Sequence, residues 1–212
     1  TGPFCASAKS IAYELTQGQV GSGNSYTRDD LGSAELYVFL GDNMAETRPV
    51  YFGMINDWRL RNKAKMIVVD PRRSVTATKA DCWLAIRPGT DLALGLAIAH
   101  HILANGLHDI KFCESWVIGW EVWHHFIMEK DYSPDWASPI TDLPSSEIRL
   151  LAEEIARADG CVIFGSRGIN QHSNAIQTNR VLMFGTARTG NWGRKGGPYL
   201  KRNLGIPFTR TG

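Results

Sequence analysis

The sequence predicts an α/β fold, a Rossmann-like, mainly parallel sheet with helices on both faces. Three observations carry this. Short runs of β-branched and aromatic residues alternate with longer helix-like segments, each run is closed by Gly, Asp or Pro, and the composition is that of a globular protein. At 212 residues, 43% hydrophobic and 21% charged, the chain can bury one good-sized core and is not a disordered segment.

In chain order, residues 6–17 read as a helix, 35–40 (ELYVFL) as the first strand, 46–61 as a helix and 65–69 (KMIVV) as the second strand. Residues 82–86 (CWLAI) read as the third strand, 91–105 and 109–115 as helices, 145–158 as a further helix, 161–164 (CVIF) as the fourth strand and 174–189 as the last helix. Ser145, Glu147 and Ile148 start the 145–158 helix without a strict capping box. Residues 116–144, tryptophan-rich around WVIGWEVWHHF, lack a clean period and read as an aromatic-rich insertion packed on the sheet. Residues 190–212, dense in Gly and Arg, read as an extended tail. The whole, 1–212, is expected to be a single domain, and its opening, TGPFCASAKS, reads as cut from a larger polypeptide.

A net charge of +2 with Lys and Arg scattered along the chain gives no reason to expect nucleic acid or an anionic membrane as partner. No apolar run reaches the roughly 18 residues of a membrane span, and no signal peptide opens the chain. Cys5, Cys82, Cys113 and Cys161 are far apart and form no CxxC pair, so a metal here would be held by very few protein ligands. Cys82, Cys113 and Cys161 lie in apolar runs and read as small buried side chains. His100 and His101 fall on an apolar helix, and His124 and His125 in the aromatic segment, where core or surface roles outweigh catalysis.

In a doubly wound sheet the ligand sits beyond the carboxyl ends of the strands, and all four predicted strands end in polar turns. The first is followed by Gly41, Asp42, Asn43 and Glu46, a sharp turn into a helix whose free N–H groups suit a phosphate. The second is followed by Asp70, Pro71, Arg72 and Arg73, a carboxylate placed to bond a ribose hydroxyl with two guanidinium groups behind it. The third ends in Pro88, Gly89, Thr90 and Asp91. The fourth ends in Gly165, Ser166, Gly168, Gln171 and His172, another glycine-rich turn with amide donors. Singly, each is an ordinary turn or helix cap; four at one edge point to a nucleotide site, although no GxGxxG fingerprint supports an NAD-type one.

Three stretches, GDNMAETRPVYF, KMIVVDPRRSVTATKADCWLAIRPGTDLALGLAIAHHIL and FGSRGINQHSNAIQTNRVLMFGTARTGNWGRKGG, carry a resemblance across nearly the whole chain. They resemble the central part of the catalytic subunit of molybdopterin oxidoreductases of the dimethyl sulfoxide reductase family, nearest its cysteine-ligated, nitrate reductase-like branch. The resemblance implies an α/β cofactor-binding domain holding molybdenum or tungsten through two molybdopterin guanine dinucleotides. By it, Gly41, Asp42, Asn43 and Glu46 would lie near a diphosphate and Asp70, Pro71 and Arg72 near a ribose or guanine. Pro88, Gly89, Thr90 and Asp91 would reach the guanine edge, Gly165, Ser166, Gly168, Gln171 and His172 would line the pterin, and Gly190, Asn191 and Gly193 would approach the second cofactor. Asp42 stands where the family usually has serine; a carboxylate is unfavourable beside a diphosphate and is expected to point away or cap the helix.

Cys5 resembles the family's metal-ligating cysteine, with Ala6, Ser7 and Ala8 small beside it, Tyr13 eight residues on, and Tyr26, Asp29 and Asp30 before the first strand. The resemblance makes it the single catalytic protein ligand, as a thiolate, with Ser7 the weaker candidate. Ala6 in place of the histidine of formate dehydrogenases counts against formate oxidation. The implied activity is a two-electron oxygen-atom transfer on a small-molecule substrate, such as nitrate reduction. The alternatives are a sulfur-compound reductase, a non-redox hydratase of the same family, or a metal-free nucleotide-binding module. The implied partners are the rest of the catalytic subunit, with a 4Fe-4S cluster in its N-terminal part, and an iron–sulfur electron-transfer subunit.

Overall fold

The computed structural model describes residues 7–17, 26, 28–193 and 195–197. Among these, four strands form one parallel sheet in the order β3-β2-β1-β4: β1 (Leu36–Leu40), β2 (Lys65–Val69), β3 (Cys82–Leu84) and β4 (Cys161–Gly165). The register aligns Leu40 with Val69 and Gly165, and Val69 with Leu84, so the four carboxyl ends fall in one row. Strand order runs outward from β1 to β3, and the chain then returns to the other side of β1 for β4. The reversal places a topological switch point between β1 and β4.

The helices are α1 (Ser7–Gln17), α2 (Arg28–Leu31), α3 (Met44–Thr47), α4 (Pro49–Asn62), α5 (Asp91–Ala104), α6 (Ile110–Trp116), α7 (Trp120–Glu129), α8 (Pro134–Thr141), α9 (Ser145–Arg157), α10 (Arg167–Asn170) and α11 (Ala175–Arg188). β1 is buried at every position because both faces are covered. Leu36, Val38 and Leu40 pack on one face with Leu94 and Ile98 of α5 and Ile148, Leu151 and Ile155 of α9. Tyr37 and Phe39 face the other side, against Phe52 and Ile55 of α4 and Val162 and Phe164 of β4.

Two segments differ from expectation. The helix predicted over 46–61 is two helices, broken at Arg48, whose backbone leaves the helical region (φ −146°, ψ 60°) ahead of Pro49. Proline disfavours a helical residue before it and is at home in a first turn, so it ends one helix and begins the next. Residues 116–144 are largely helical, not irregular: α7 and α8 occupy most of them and pack chiefly on α5 and α9. Trp123 stacks on Phe184 of α11 with ring centroids 4.9 Å apart and planes within 5°. Among the described residues no helix is long and apolar enough to cross a membrane.

Candidate cofactor site

The turns after β1 and β4 close on each other at the switch point. The Gly168 N–H donates to the Gly41 carbonyl at 3.0 Å, and the Ser166 N–H to the Leu40 carbonyl at 3.3 Å. A Cβ on Gly41, whose φ is +54°, would meet the Gly168 Cα at 2.6 Å, so only paired glycines allow this contact. The turn after β1 is also tied to the β2–β3 connection: the Thr76 hydroxyl donates to Asn43 Oδ1 at 3.0 Å and accepts from the Ala45 N–H at 2.9 Å. Asn43 precedes α3 without a side-chain cap, and α3 is four residues long. With one of its first N–H groups already bonded to Thr76, it offers less to a phosphate than the sequence suggested.

Asp42 does not cap α3, whose N-cap position is held by Asn43. Asp42 is 2% exposed, and its Oδ2 accepts from the Arg48 guanidinium at 2.5 Å. Its Oδ1 is buried with no hydrogen-bond partner among the described residues. Glu46 and Arg72 are exposed and face each other at 3.9 Å, linking the first two turns loosely. Asp70 Oδ1 accepts from the Arg72 N–H at 2.8 Å, which folds the second turn back on itself; Pro71 between them is exposed. The Asp70 carbonyl accepts from the Trp83 indole N–H at 2.8 Å, and the Arg73 guanidinium lies over the Trp83 ring.

The third turn meets the fourth. Pro88 is exposed; Gly89, with φ +81°, comes so close to His172 that a Cβ would lie 3.3 Å from its Nδ1. The Thr90 hydroxyl donates to the Arg87 carbonyl at 2.7 Å, and Asp91 is the first residue of α5. Asp91 is 8% exposed. Burial pushes its carboxyl above the usual carboxylate range; its own N–H and the nearby His172 act the other way, and Asp70 adds to the rise. The ends of β2, β3 and β4 thus converge on one buried carboxylate. Gln171, beside His172, is exposed.

Gly190, Asn191 and Gly193 are not in this row. Asn191 is 1% exposed at the opposite edge, where its Oδ1 accepts from the Cys161 N–H at the start of β4 and its Nδ2 donates to Thr189 Oγ1. Gly190 lies against Asp109, the N-cap of α6, and Gly196 against Gly160 and Ala34, just ahead of β4 and β1. The segment expected to approach the second cofactor here packs along the amino edge of the sheet. Cys5 lies outside the described residues. Among the described residues no group of three or more His, Cys, Asp or Glu could hold a metal.

Sequence reading passed over three residues that build this edge: Lys9, whose ammonium donates to the Gly165 carbonyl at 3.1 Å, Arg48 and Thr76. Each acts on a turn far away in sequence or across a helix break. The one local signal was an acidic residue in a strand-end turn, which demands a cation nearby.

A parallel sheet whose polar turns gather at a topological switch point is the arrangement in which α/β proteins hold ligands beyond the carboxyl ends of their strands. The family model described as molybdopterin oxidoreductase matches residues 4–205, and the chain belongs to this family. It is 34% identical over 198 residues to a probable dimethyl sulfoxide reductase chain of Escherichia coli K12, covering 84% of this chain and 24% of that one. It is 36% identical over 164 residues to a nitrate reductase of Symbiobacterium thermophilum, covering 73% and 22%. The solved acetylene hydratase from Pelobacter acetylenicus superposes with a TM-score of 0.81 at 28% identity, covering 93% of this chain and 26% of that one. The chain thus spans about a quarter of the length of the curated relatives it matches. Membership implies a molybdopterin cofactor with molybdenum. The residues fit such a group: the glycine contact at the switch point leaves backbone at the crevice floor, and Asp91 is a desolvated acceptor beside it.

Proposed function

We propose that this chain supplies part of the cradle for two molybdopterin guanine dinucleotides in an enzyme of two-electron oxygen-atom transfer, such as nitrate reduction. The observation that carries the reading is Asp91, buried at the strand-end row beside His172 and Asp70 in a chain of the molybdopterin oxidoreductase family. A guanine edge offers an N–H and an amino group side by side, and a carboxylate accepts both at once. Burial strengthens that pairing by excluding competing water. The Asp70 turn stands where a ribose hydroxyl would be bonded, and Gly41, Asn43, Ser166 and Gly168 form the backbone floor that a bulky ligand needs.

When bound, the cofactor supplies the two-electron change at its metal, and the protein supplies position and electrostatics. Cys5 is proposed as the thiolate ligand. The remainder of the catalytic subunit, with a 4Fe-4S cluster, and an iron–sulfur subunit are proposed as partners. The likeness to an acetylene hydratase favours a second reading, in which the same cradle serves addition of water.

The test is metal and nucleotide analysis of the purified full-length protein. About two guanine nucleotides released per molybdenum or tungsten is the expected result; absence of metal and guanine together refutes the reading. Turnover of nitrate or a sulfoxide with a reduced dye, against hydration of acetylene without one, separates the two reactions. A Cys5→Ser protein retaining full activity would remove the ligand assignment alone.

A further inference from the structure

Lys9 sits on α1, and its ammonium reaches the carboxyl end of β4, bonding the Gly165 carbonyl at 3.1 Å. The half-buried space around it is lined by Tyr13, Ile163, Ile169, Asn179 and Met183, with no carboxylate among them. Burial pulls its pKa down; the Asp42 carboxylate acts upward and Arg48 downward. An ammonium removed from water costs several kcal/mol unless an anion or a full set of acceptors meets it. Gly165 supplies one acceptor for three donors, and the ammonium lies 5.7 Å from the centroid of the Tyr13 ring, which brings no negative charge.

The natural counter-ion, Asp42, is already spoken for. Its Oδ2 is paired with Arg48, and its Oδ1 is buried without a partner among the described residues. Arg48 therefore neutralises the carboxylate nearest Lys9, and Lys9 leaves this group of three with a positive charge in surplus. That surplus lies at the switch point, beside the turns of Gly41 and Gly165, where this fold receives the phosphates of its ligands. It also answers the objection raised by an aspartate in the first turn: Asp42 taken with Arg48 and Lys9 is net cationic.

We propose that Lys9 is an anion-contacting residue of the cofactor site, its ammonium meeting the diphosphate of the bound nucleotide while Arg48 holds Asp42. The inference rests on the reading of the site given above. Its role differs from that of a helix anchor, which a neutral hydrogen-bond donor at position 9 would fill equally well.

The experiment uses full-length protein made in cells unable to synthesise the cofactor, with inorganic pyrophosphate as probe, followed by calorimetry and by thermal melting. Wild type binds pyrophosphate and melts higher in its presence. Lys9→Gln, which keeps a donor for the Gly165 carbonyl, binds about tenfold more weakly or worse, the loss of one charge-assisted contact, whereas Lys9→Arg retains binding. Equal pyrophosphate affinity in Lys9→Gln and wild type overturns the proposal. So does a Lys9→Gln protein that melts lower but gains as much from pyrophosphate as wild type, because Lys9 would then be an anchor alone. So too does a wild type that pyrophosphate leaves unchanged. Absence of metal and guanine from the cofactor-replete protein defeats the functional reading instead, and the two failures are therefore distinct.

Discussion

The two edges of the sheet both bury polar side chains, yet they treat them differently. At the amino edge several polar side chains, buried or half-buried, are answered by the chain, although the buried Nε of Arg59 is not. Asn191 bonds Cys161 and Thr189, Asp81 Oδ2 accepts from the Met66 N–H, Glu35 Oε2 accepts from the Asp159 N–H, and Lys65 pairs with Glu154 at 2.5 Å. At the carboxyl edge Asp42 keeps a buried Oδ1 without a partner among the described residues, and Asp91 is desolvated with its own N–H as the hydrogen-bond donor that favours its charge. Unsatisfied buried polar groups are costly, and on the proposed function the two carboxylates of the carboxyl edge are the ones a ligand would complete. On the proposed function, the same residue chemistry is structural at one end and receptive at the other.

The strongest way to break this contrast is at the glycine contact that shapes the carboxyl edge. Gly41→Ala would combine a left-handed φ of +54° with a Cβ 2.6 Å from Gly168. We expect a loss of about 3 kcal/mol or more by chemical denaturation, with cofactor content falling alongside. A stable, loaded Gly41→Ala protein would mean that the two turns can part without harm.

Next in size is the amino edge. Asn191→Ala leaves the buried Cys161 N–H without its acceptor and should cost about 1–3 kcal/mol. Guanine released per folded molecule should stay at the wild-type value. If that guanine value falls with little change in stability, Asn191 belongs to the cofactor site after all, and the division of the two edges is wrong.

Asp91→Asn tests the carboxyl edge with the opposite signature: about tenfold weaker guanine retention, from the loss of a charge-assisted pair, with stability unchanged or raised. The pH dependence follows from the direction of its shift. The folded pKa of Asp91 lies above its unfolded value, so its charge costs stability at neutral pH, and the cost is relieved as pH falls through the folded pKa. Nucleotide binding runs the other way, since only the ionised form accepts both donors. Guanine retention by wild type should therefore weaken on acidification starting above the usual carboxylate range, and Asp91→Asn should flatten that limb. A flat wild-type profile would deny the carboxylate its role.

Much of this was legible in the sequence, for physical reasons that differ by element. ELYVFL and KMIVV are buried on both faces, so their continuous apolar runs announced central parallel strands. CWLAI was read two residues too long, because Ala85 and Ile86 lie beyond the last ladder pair, Val69 with Leu84. The break at Arg48 was written in Pro49, yet the apolar residues on either side masked it. In 116–144 two short helices, parted by residues 130–133, never complete enough turns to show a period, and Pro139 inside α8 speaks against a helix. The strand-end row was visible because topology alone sends those turns to one edge. The pairing of Asp42 with Arg48, the reach of Lys9 to Gly165 and the place of Asn191 at the far edge are tertiary facts with no local trace.

The smallest effect sharpens the contrast from within the carboxyl edge. Arg87 opens the third turn and grips Asp142 through two hydrogen bonds, one of them Nε to Oδ2 at 2.7 Å, a geometry that invites the idea that it holds Asp91 in place. Both side chains are half exposed, and screened surface pairs contribute little. The turn is held independently by the Arg87 N–H, which donates to the Thr141 carbonyl at 2.8 Å and survives any change of side chain. Arg87→Gln should therefore leave the melting temperature at neutral pH and the guanine content at their wild-type values. Whatever the pair adds depends on ionised Asp142, whose carboxyl Arg87 holds below the usual range; that increment is present above its unfolded pKa and lost as pH falls through the folded one. The two proteins should then become indistinguishable in acid. A clear drop in guanine content for Arg87→Gln would show instead that the carboxyl edge is positioned by its surface charges, and that the receptive edge extends beyond its buried carboxylates.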